Sequence, residues 1–527
     1  MCKKRNFVIA ILAVSMLLAV ANVTYAASEA EKETAIANGL AWLAGQQQGD
    51  GHWEYGDTGS DIGATGAALL AFIEEGHTPT SATAYSANVA SGLDFLLSYA
   101  QSYAIAPEPA GDPDTNGNGI GVKFNSSAGD NSRDIYATGL ALCPIAAVGT
   151  PGAVVTVGPQ AGRTYADVIQ DTADYFAFAQ NDQATGLNRG GWRYYANEGT
   201  SDNSTSQWPT VALLYAKSAG ATVPAWVATE LAFWVAAIQN PDGGSAYDFY
   251  GSVGPGSNVS RTGTLLLQQV FSGALAGTPA ALSYLDGQWL TTANSTWDGN
   301  FGHPYAMWAA YKGLEVTIGL DADLSMISNL HPDPLNVDNP NHGYNWWEDY
   351  CEYIVNAQNP DGSWTGYSSW AGPLATAWYI NILAATEIPP PNEDPVCDDA
   401  YADPGCLWSP NNKLVAIEIL GVTDPDGDPV TITITGITSD EPTASDEGAG
   451  GAKHAPDAAG VGEDMAQVRS ERSGLGNGRV YEISFTASDD MGGECEGSVT
   501  VCVPHDQSGK DCECIDDGQI YDATQIN

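Results

Sequence analysis

The apolar residues of the chain change their spacing once, near residue 390. Before that point they recur at helical intervals, in segments of two kinds. Segments of the first kind carry one stripe of large residues, such as Leu40 and Leu43, which is typical of a helix with one buried face. Segments of the second kind are apolar on nearly every side and rich in small residues, as over residues 64–70. Such helices favour burial on both sides, so the pattern predicts an inner and an outer layer of helices.

The two kinds of segment alternate six times along the chain. Each first segment ends in Gln or Asn and leads into a loop of Gly, Asp and aromatic residues. The second segments begin near these residues: Asp61, Asp134, Thr205, Ser260, His303 and Pro373. We therefore predict a mainly α, (α/α)6 toroid over residues 27–388. An open solenoid of helix pairs is the alternative, although solenoids usually have a more regular period and capping repeats.

Beyond residue 397 the apolar residues alternate with polar ones, as they do in strands. The alternating runs fall at 415–419, 430–434, 480–485 and 498–501, with Gly, Asp and Pro between them. We predict a linker over residues 389–396, which begins with three consecutive prolines, and a small β-sandwich domain over residues 397–527. Residues 422–429, which precede a predicted strand, resemble cadherin-like or immunoglobulin-like modules of bacterial surface proteins.

The N-terminus has the three parts of a secretory signal peptide. Lys3, Lys4 and Arg5 precede an apolar run over residues 7–23, and small residues surround Ala26. We predict a signal peptide over residues 1–26; a membrane anchor is the alternative, because the apolar run barely reaches the length of a bilayer span. After removal of the signal we expect no membrane insertion, and a secreted, periplasmic or cell-surface location.

Acidic residues far outnumber basic ones, with 64 Asp and Glu against 18 Lys and Arg, and the formal net charge is -46. A charge of this sign repels phosphates, so a nucleic-acid partner is excluded. The chain is 43% hydrophobic and has 15 Trp, which excludes a disordered acidic chain. The expected partner is therefore a small molecule, a glycan or another protein.

The last quarter of the chain holds six of the nine cysteines: Cys397, Cys406, Cys495, Cys502, Cys512 and Cys514. In an exported protein such a cluster predicts disulfide bonds, although the sequence does not choose among their connectivities. Zinc is the alternative, and it is disfavoured because no Cys-x-x-Cys pair is present.

A turn motif recurs between the paired helices. Gln47, Asp50, Gly51 and Trp53 form a Gln-x-x-Asp-Gly-x-Trp sequence, which is repeated from Gln358 to Trp364 and, with Ser245 in place of Trp, from Gln239. It resembles the QW repeat of squalene and hopene cyclases, which protein prenyltransferase β subunits share more loosely. The resemblance covers about residues 30–388 and implies the toroid fold, with Gln and Trp bracing neighbouring helices.

The sequence departs from those families where they carry their chemistry. It has no Asp-x-Asp-Asp acid of the cyclases and no Asp-Asp-x-x-Asp. Asp349-Tyr350-Cys351 has the spacing of the prenyltransferase zinc ligands, but it lies in an outer helix. We therefore predict that the chain lacks both activities; a terpene cyclase-type enzyme is kept only as a further alternative.

The loops that precede the inner helices carry aromatic residues and arginines. In a toroid these loops gather at one mouth of the central cavity, where flat rings grip carbohydrates or other apolar-faced ligands. The candidate ligand-binding residues are Trp53, Tyr55, Arg189, Trp192, Arg193, Tyr194, Tyr247, Trp297, His303 and Trp364. The alternatives are that the Trp residues brace the fold and that the arginines pair with local acids.

Two carboxylates occupy matching positions at the start of inner helices. Asp61 and Asp134 are candidates for general acid–base work on a glycoside, with N-capping of their helices as the alternative. The principal prediction is therefore an exported protein that binds a ligand at the mouth. The alternative is an extracellular carbohydrate-active enzyme, either a hydrolase or a lyase.

Calcium is the one cofactor that the sequence suggests. Asp112, Asp114 and Asn116 alternate ahead of Gly117 as in calcium loops, although Lys123 stands where the closing Glu belongs. In the C-terminal part, the resemblance to cadherin-like or immunoglobulin-like modules implies that Asp424, Asp426 and Asp428 bind calcium. Ordinary acidic turns are the alternative for both sets.

Overall fold

A computed structural model gives the structure of the chain. It describes residues 27–56, 58–125, 133–182, 186–249, 256–295, 297–321, 326–332, 344–388, 392–443, 454–489, 493–506 and 512–526. The predicted signal peptide and the three prolines of the predicted linker lie outside the described residues. The chain divides into two compact units between Pro391 and Asn392. None of the described helices is long and apolar enough to cross a membrane.

The first unit contains twelve described α-helices, in the six pairs that the sequence predicts. They are α1 (Glu29–Gln46), α2 (Thr58–Glu74), α3 (Ser86–Ser98), α4 (Asp134–Ala147), α5 (Tyr165–Ala179), α6 (Asn203–Ser218), α7 (Ala225–Ile238), α8 (Val259–Ser272), α9 (Thr278–Gln288), α10 (Pro304–Ile318), α11 (Trp346–Ala357) and α12 (Gly372–Leu383). A hairpin of β1 (Ala100–Ala104) and β2 (Ile120–Phe124) lies between α3 and α4. The periodicity did not predict this hairpin, because its strands are short and flanked by a long polar loop.

The even-numbered helices form a closed cycle of contacts. Each contacts the next one in order, and α12 contacts α2. We call α2, α4, α6, α8, α10 and α12 the inner cycle. Its helices are buried on most sides; in α12, for example, every residue from Leu374 to Leu383 is buried. The odd-numbered helices pack outside them, as their single apolar stripes predict.

One glutamine in each recurring turn connects successive pairs of helices. Each caps the C-terminus of an odd-numbered helix and donates both of its Nε2 hydrogens, one to a glycine carbonyl of its own turn and one to the next odd-numbered helix or the residue before it. The second acceptors are Asn88, Val227, Gly277 and Ala35, reached by Gln47, Gln180, Gln239 and Gln358 in that order. The last bond, 2.8 Å long, joins the sixth pair to the first across 323 residues.

The tryptophan of the turn satisfies an unpaired helix carbonyl. The last four carbonyls of an α-helix have no partner within the helix. The indole Nε1 of Trp53 donates to the Leu43 carbonyl of α1 at 2.7 Å, and that of Trp364 donates to the Ile354 carbonyl of α11 at the same distance. The backbone N–H of each Trp donates to a Thr hydroxyl of the following inner helix. One residue therefore fixes both helices of its pair.

The second unit is built from two four-stranded antiparallel sheets. Their strand orders are β10-β5-β8-β9 and β3-β4-β7-β6. The strands are β3 (Tyr401–Asp403), β4 (Leu414–Leu420), β5 (Thr431–Ser439), β6 (Ala458–Ala459), β7 (Ala466–Arg469), β8 (Arg479–Ser488), β9 (Glu494–Val503) and β10 (Tyr521–Asp522). The four alternating runs of the sequence fall in β4, β5, β8 and β9. Their buried residues form a core that includes Ile417, Ile434, Ile483 and Val501.

Disulfide bonds account for the cysteine cluster. The pairs are Cys397–Cys495, Cys406–Cys512 and Cys502–Cys514. The prediction of disulfides is thus confirmed, and zinc is excluded as the partner of these sulfurs. Among the described residues, Cys143 and Cys351 are free thiols, and both are buried in the first unit.

The turn glycine gives a test of how the pairs are joined. Gly51 has φ +98°, and a Cβ on it would lie 2.1 Å from the Ser91 carbonyl oxygen of α3. We expect Gly51→Ala to lower the free energy of unfolding by about 3 kcal/mol, because it adds a clash to a disfavoured backbone conformation. The measurement is chemical denaturation followed by far-ultraviolet circular dichroism.

The control is Gly49→Ala, two residues earlier in the same turn. A Cβ there meets no atom within 4 Å, and its φ is not in the left-handed region. Its effect should stay within about 0.5 kcal/mol. Equal losses for the two variants would show that the close approach to α3 contributes nothing.

Candidate functional site

The loops that precede the inner helices contact one another at one end of the inner cycle. The Tyr194 carbonyl accepts from Ile135 N–H at the start of α4, and the Tyr247 carbonyl accepts from Asn203 N–H at the start of α6. Asn258, which caps α8, donates to the Trp297 carbonyl. We call this end of the first unit the loop end.

Three of the candidate ligand-binding residues lie inside the first unit. The side chains of Trp53, Trp192 and Trp364 are at most 3% exposed. Their indole N–H groups donate to helix carbonyls, with Trp192 bonded to Phe176 at 2.9 Å. The structure gives these residues a bracing role and leaves them no surface that a ligand in solvent could reach.

The two candidate catalytic carboxylates hold their own surroundings in place. Asp61 Oδ1 accepts from the backbone N–H groups of Tyr55 and Gly56, so it ties the preceding loop to α2. Asp134 accepts from Lys123 Nζ at 2.6 Å and from the Asn125 amide at 3.0 Å. Both carboxylates are thus bonded to the chain that precedes their helices, which gives them a structural role.

Two of the predicted arginines pair with neighbouring acids. Arg189 makes two 2.6 Å hydrogen bonds to Glu230 of α7 and lies over the Phe233 ring. Arg193 lies 3.4 Å from Asp248 and 3.6 Å from Glu198. The bidentate pair of Arg189 leaves it little capacity for a ligand, whereas the longer contacts of Arg193 are looser.

A tyrosine pair lies at the centre of the loop end. The hydroxyls of Tyr194 and Tyr247 are 3.2 Å apart, and both rings are half-buried. Arg193 and Arg133 lie over the Tyr194 ring at 5.4 and 5.6 Å, and Arg261 lies over the Tyr247 ring at 5.6 Å. Sequence analysis found Tyr194, Tyr247 and Arg193 but missed Arg133 and Arg261, whose proximity depends on three inner helices meeting.

A group of flat aromatic rings lies near the starts of α10 and α12. Trp370 stacks on Tyr305 with ring centroids 5.1 Å apart and on Tyr367 at 6.5 Å, both within 8° of parallel. Trp297 meets the Trp370 ring edge-on at 5.0 Å and is 52% exposed. We call Trp297, Tyr367 and Trp370 the aromatic platform. Trp370 was missed by the sequence analysis, since nothing in the repeat pattern marks it.

His303 lies against this platform but is buried. Its ring is 4.6 Å from that of Tyr367 and 4.9 Å from that of Trp370, and its Nδ1 accepts from Ala306 N–H as the cap of α10. Burial lowers the pKa of His303 from 6.5 to about 4. The residue is therefore neutral near pH 7, and its Nδ1 is already occupied.

A buried carboxylate that the sequence analysis missed lies beside the tyrosine pair. Asp202 caps α6 and accepts from Thr205 N–H, the Thr205 hydroxyl and the Ser204 hydroxyl. The Ser204 hydroxyl also lies 2.6 Å from that of Tyr136. Burial raises the pKa of Asp202. The sequence did not single out Asp202, because the helical periodicity is the same for a buried N-cap acid as for any other N-cap.

Side chains fill the middle of the inner cycle. The indoles of Trp208, Trp308 and Trp378 stack with centroids 5.2–6.4 Å apart. The void beside them holds about one water molecule. It is lined by Gly66, Ala67, Leu70, Leu140, Cys143, Trp208, Val211, Trp308, Trp378 and Asn381. No carboxylate is among these described lining residues.

The two candidate calcium loops differ in how they use their oxygens. In the first unit, Asp114 accepts from three backbone N–H groups of its own loop, and the Asn116 amide donates to Asp171 of α5. In the second unit, Asp424, Asp426 and Asp428 bring carboxylate oxygens within 4.8 Å of one another. The Oδ2 of Asp424 is buried and has no hydrogen-bond partner among the described residues.

The segment with the spacing of prenyltransferase zinc ligands has other contacts. Asp349 of α11 lies 3.0 Å from His331 Nδ1 and accepts from the Trp289 indole and the Tyr344 hydroxyl. Cys351 is buried, and burial raises the pKa of its thiol well above the usual value. Among the described residues these side chains are not grouped as metal ligands.

Comparisons with known proteins give only a weak structural similarity. No family model matches the sequence, and no curated protein matches it. Solved structures of the type II terpene cyclase MstE from Scytonema, a protein of terpene cyclase-like fold, are 13% identical and cover 68% of this chain and 97% of theirs. The TM-scores are 0.38 with the product merosterolic acid A, 0.38 with the substrate geranylgeranyl dihydroxybenzoate and 0.36 without ligand.

The buried imidazole predicts a pH dependence of stability. The unfolded chain protonates His303 below about pH 6.5, whereas the folded chain protonates it only near pH 4. The contribution of His303 to the free energy of unfolding is therefore fully present above pH 6.5. It falls by roughly 3 kcal/mol at most as the pH is lowered from 6.5 to 4. His303→Asn keeps a capping side chain and should remove this part of the pH dependence, as measured by denaturation at a series of pH values. An unchanged pH profile in the variant would contradict the assignment.

Proposed function

We propose that the first unit is an (α/α)6 toroid and the second a β-sandwich-like module of an exported protein. The contact of α12 with α2 and the bond from Gln358 to Ala35 support closure of the helical unit. The two antiparallel sheets around one core support the sandwich. Three disulfide bonds suit an oxidising compartment outside the cytosol, in agreement with the predicted signal peptide.

The proposed function is the binding of a ligand at the loop end, without cyclase or prenyltransferase activity. The observation that carries it is the aromatic platform, where Trp297 is 52% exposed and adopts φ +63°. A bulky residue in the left-handed region is strained, and such strain is concentrated at functional sites. An exposed indole such as that of Trp297 can pack against sugar faces or other flat apolar groups. The expected ligand is therefore a glycan or a small molecule with a flat apolar face.

The filled middle of the first unit disfavours a terpene cyclase. A long isoprenoid would need the space that Trp208, Trp308 and Trp378 occupy. The sequence also lacks the Asp-x-Asp-Asp acid. Binding at the loop end requires neither the central space nor this acid.

A carbohydrate-active enzyme is the alternative at the same site. Asp61 and Asp134 are poor candidates in this structure because backbone N–H groups and Lys123 already bond to their carboxylate oxygens. Asp202 is better suited to hold a proton, and it lies among tyrosines at the loop end. Activity would therefore depend on Asp202 more than on the two carboxylates that the sequence suggested.

The aromatic platform gives the main test. The purified mature protein is applied to a glycan and lipid array, and the ligand found is titrated by calorimetry. We expect Trp297→Ala combined with Trp370→Ala to weaken binding about tenfold or more, since two stacking surfaces are lost.

The matched control is Trp408→Ala, which removes a Trp of the second unit that is 46% exposed. It should leave the affinity unchanged. If the wild-type and double-variant proteins bind the ligand with equal affinity, the aromatic platform is excluded as the binding site. If the protein releases reducing ends from polysaccharides and Asp202→Asn abolishes this release, the result would support the carbohydrate-active enzyme over the binding protein.

We also propose a calcium site at Asp424, Asp426 and Asp428. The support is the approach of three carboxylates and the unpartnered Oδ2 of Asp424, an arrangement of oxygen ligands that suits this cation. Asp424 Oδ1 accepts from the backbone N–H groups of Asp426, Gly427 and Asp428, which fixes the loop. Calcium would supply the positive charge that these carboxylates lack.

Calcium binding is tested by calorimetry on the chelator-treated full chain. We expect saturable binding of calcium. We also expect a higher unfolding temperature when the ion is present. Asp426→Asn should weaken binding at least tenfold, because it removes one charged ligand. Asp464→Asn, which changes an exposed acid of the same unit, should have no effect. Equal calcium affinity in the two variants would contradict the site.

A further inference from the structure

Most basic side chains of the first unit are paired with carboxylates. Those with such a partner are Lys32, Lys123, Arg163, Arg189, Arg193 and Lys312. By contrast, no carboxylate of the described residues lies within ion-pairing distance of Arg133 or Arg261. In a chain with 64 acidic and 18 basic residues, acidic partners are plentiful. Among the described residues of this unit, Lys217 in α6 also lacks an ion pair, but only Arg133 and Arg261 lie together at one place.

Arg133 and Arg261 both lie over rings of the tyrosine pair at the loop end. Arg133 precedes α4 and lies 5.6 Å from the Tyr194 ring centroid, and Arg261 in the first turn of α8 lies 5.6 Å from that of Tyr247. The two phenol oxygens are 3.2 Å apart. The side chains thus form a continuous row, with a guanidinium group at each end and two hydroxyls in the middle.

The row has more hydrogen-bond donors than acceptors. One phenol donates to the other, so one O–H of the pair is left to donate elsewhere. Arg261 uses one nitrogen for the Gly256 carbonyl, and its other N–H groups donate to no acceptor among the described residues. Arg133 is exposed and makes no capping bond for α4. A ligand for this row must supply acceptor oxygens, and a negative charge would pair with the guanidinium groups.

The surrounding acids limit the charge that the ligand can carry. The charge of Arg193, which also lies over the Tyr194 ring, is already offset by Asp248 and Glu198. The carboxylate of Asp202 is buried close by. A group with two or more negative charges would meet these carboxylates, whereas a single carboxylate would pair with a guanidinium group with less repulsion.

We propose that the Arg133–Tyr194–Tyr247–Arg261 row binds the carboxylate of an acidic sugar. This inference rests on the proposed ligand binding at the loop end and names the chemical class of the ligand. The planar carboxylate suits the guanidinium fork, and the tyrosine rings offer apolar faces to the sugar. The sugar-acid class is a uronic acid, which carries one carboxylate on each ring.

The test compares two probes that differ only in charge. The methyl glycoside of galacturonic acid, which carries one carboxylate, and the same glycoside with that carboxylate reduced to an alcohol are titrated into the mature full-length protein by calorimetry. We expect the acidic probe to bind at least tenfold more tightly than the neutral one and to lose affinity as salt is added. Arg133→Gln and Arg261→Gln should each remove about tenfold of the affinity for the acidic probe only.

Two further variants separate binding from folding. Tyr247→Phe keeps the ring under Arg261 but removes a hydroxyl, and it should weaken the acidic probe without changing the circular dichroism spectrum. Lys217→Gln removes a basic residue at the other end of α6 and should change nothing.

The outcomes distinguish this inference from the function on which it rests. Equal affinity for the two probes, or full affinity of both arginine variants, would overturn the carboxylate assignment. Ligand binding that still depends on Trp297 and Trp370 would then leave the proposed function standing. If neither probe binds and the arrays give no ligand that is sensitive to the platform, both proposals fall.

Discussion

The first unit depends on the satisfaction of helix ends by one recurring turn. Every odd-numbered helix that ends in the motif leaves carbonyl groups without partners. In the turn from Gln47 to Trp53, the indole takes one of these carbonyls and the glutamine amide reaches the next odd-numbered helix. Gly51 permits the close approach, since any larger residue would strike the Ser91 carbonyl. Closure follows from repetition, because the last glutamine bonds to the first helix.

This use of the aromatic residues decides where a ligand can be accommodated. Tryptophans of the turn are buried as braces, and three more indoles stack in the middle of the inner cycle. The remaining void is about the size of one water molecule. Exposed ring surface is instead found at Trp297, and the proposed binding site therefore lies in the loops that precede the inner helices.

The second unit is stabilised by a different means. Several residues of its strands face solvent, so the apolar core is small. Three disulfide bonds constrain the unfolded chain and compensate for the limited core. Arg479 is fully buried between Asp457 and Glu441, which satisfies its charge inside the unit. Such a module tolerates a strongly acidic surface, and calcium at Asp424 would reduce the local repulsion.

The sequence by itself determined the helix pairs, the strands of the second unit and the bracing motif, because these depend on local periodicity and turn chemistry. The bracing role of Gln358 and Trp364 was expected from the resemblance of their turn motif to the QW repeat. Tertiary structure decided the rest. It engaged Asp61 and Asp134 with backbone and lysine, paired Arg189 with Glu230, and gathered Arg133 and Arg261 around two tyrosines. The physical reason is that a side chain's charge state and exposure are set by neighbours far away in sequence, which no local pattern records.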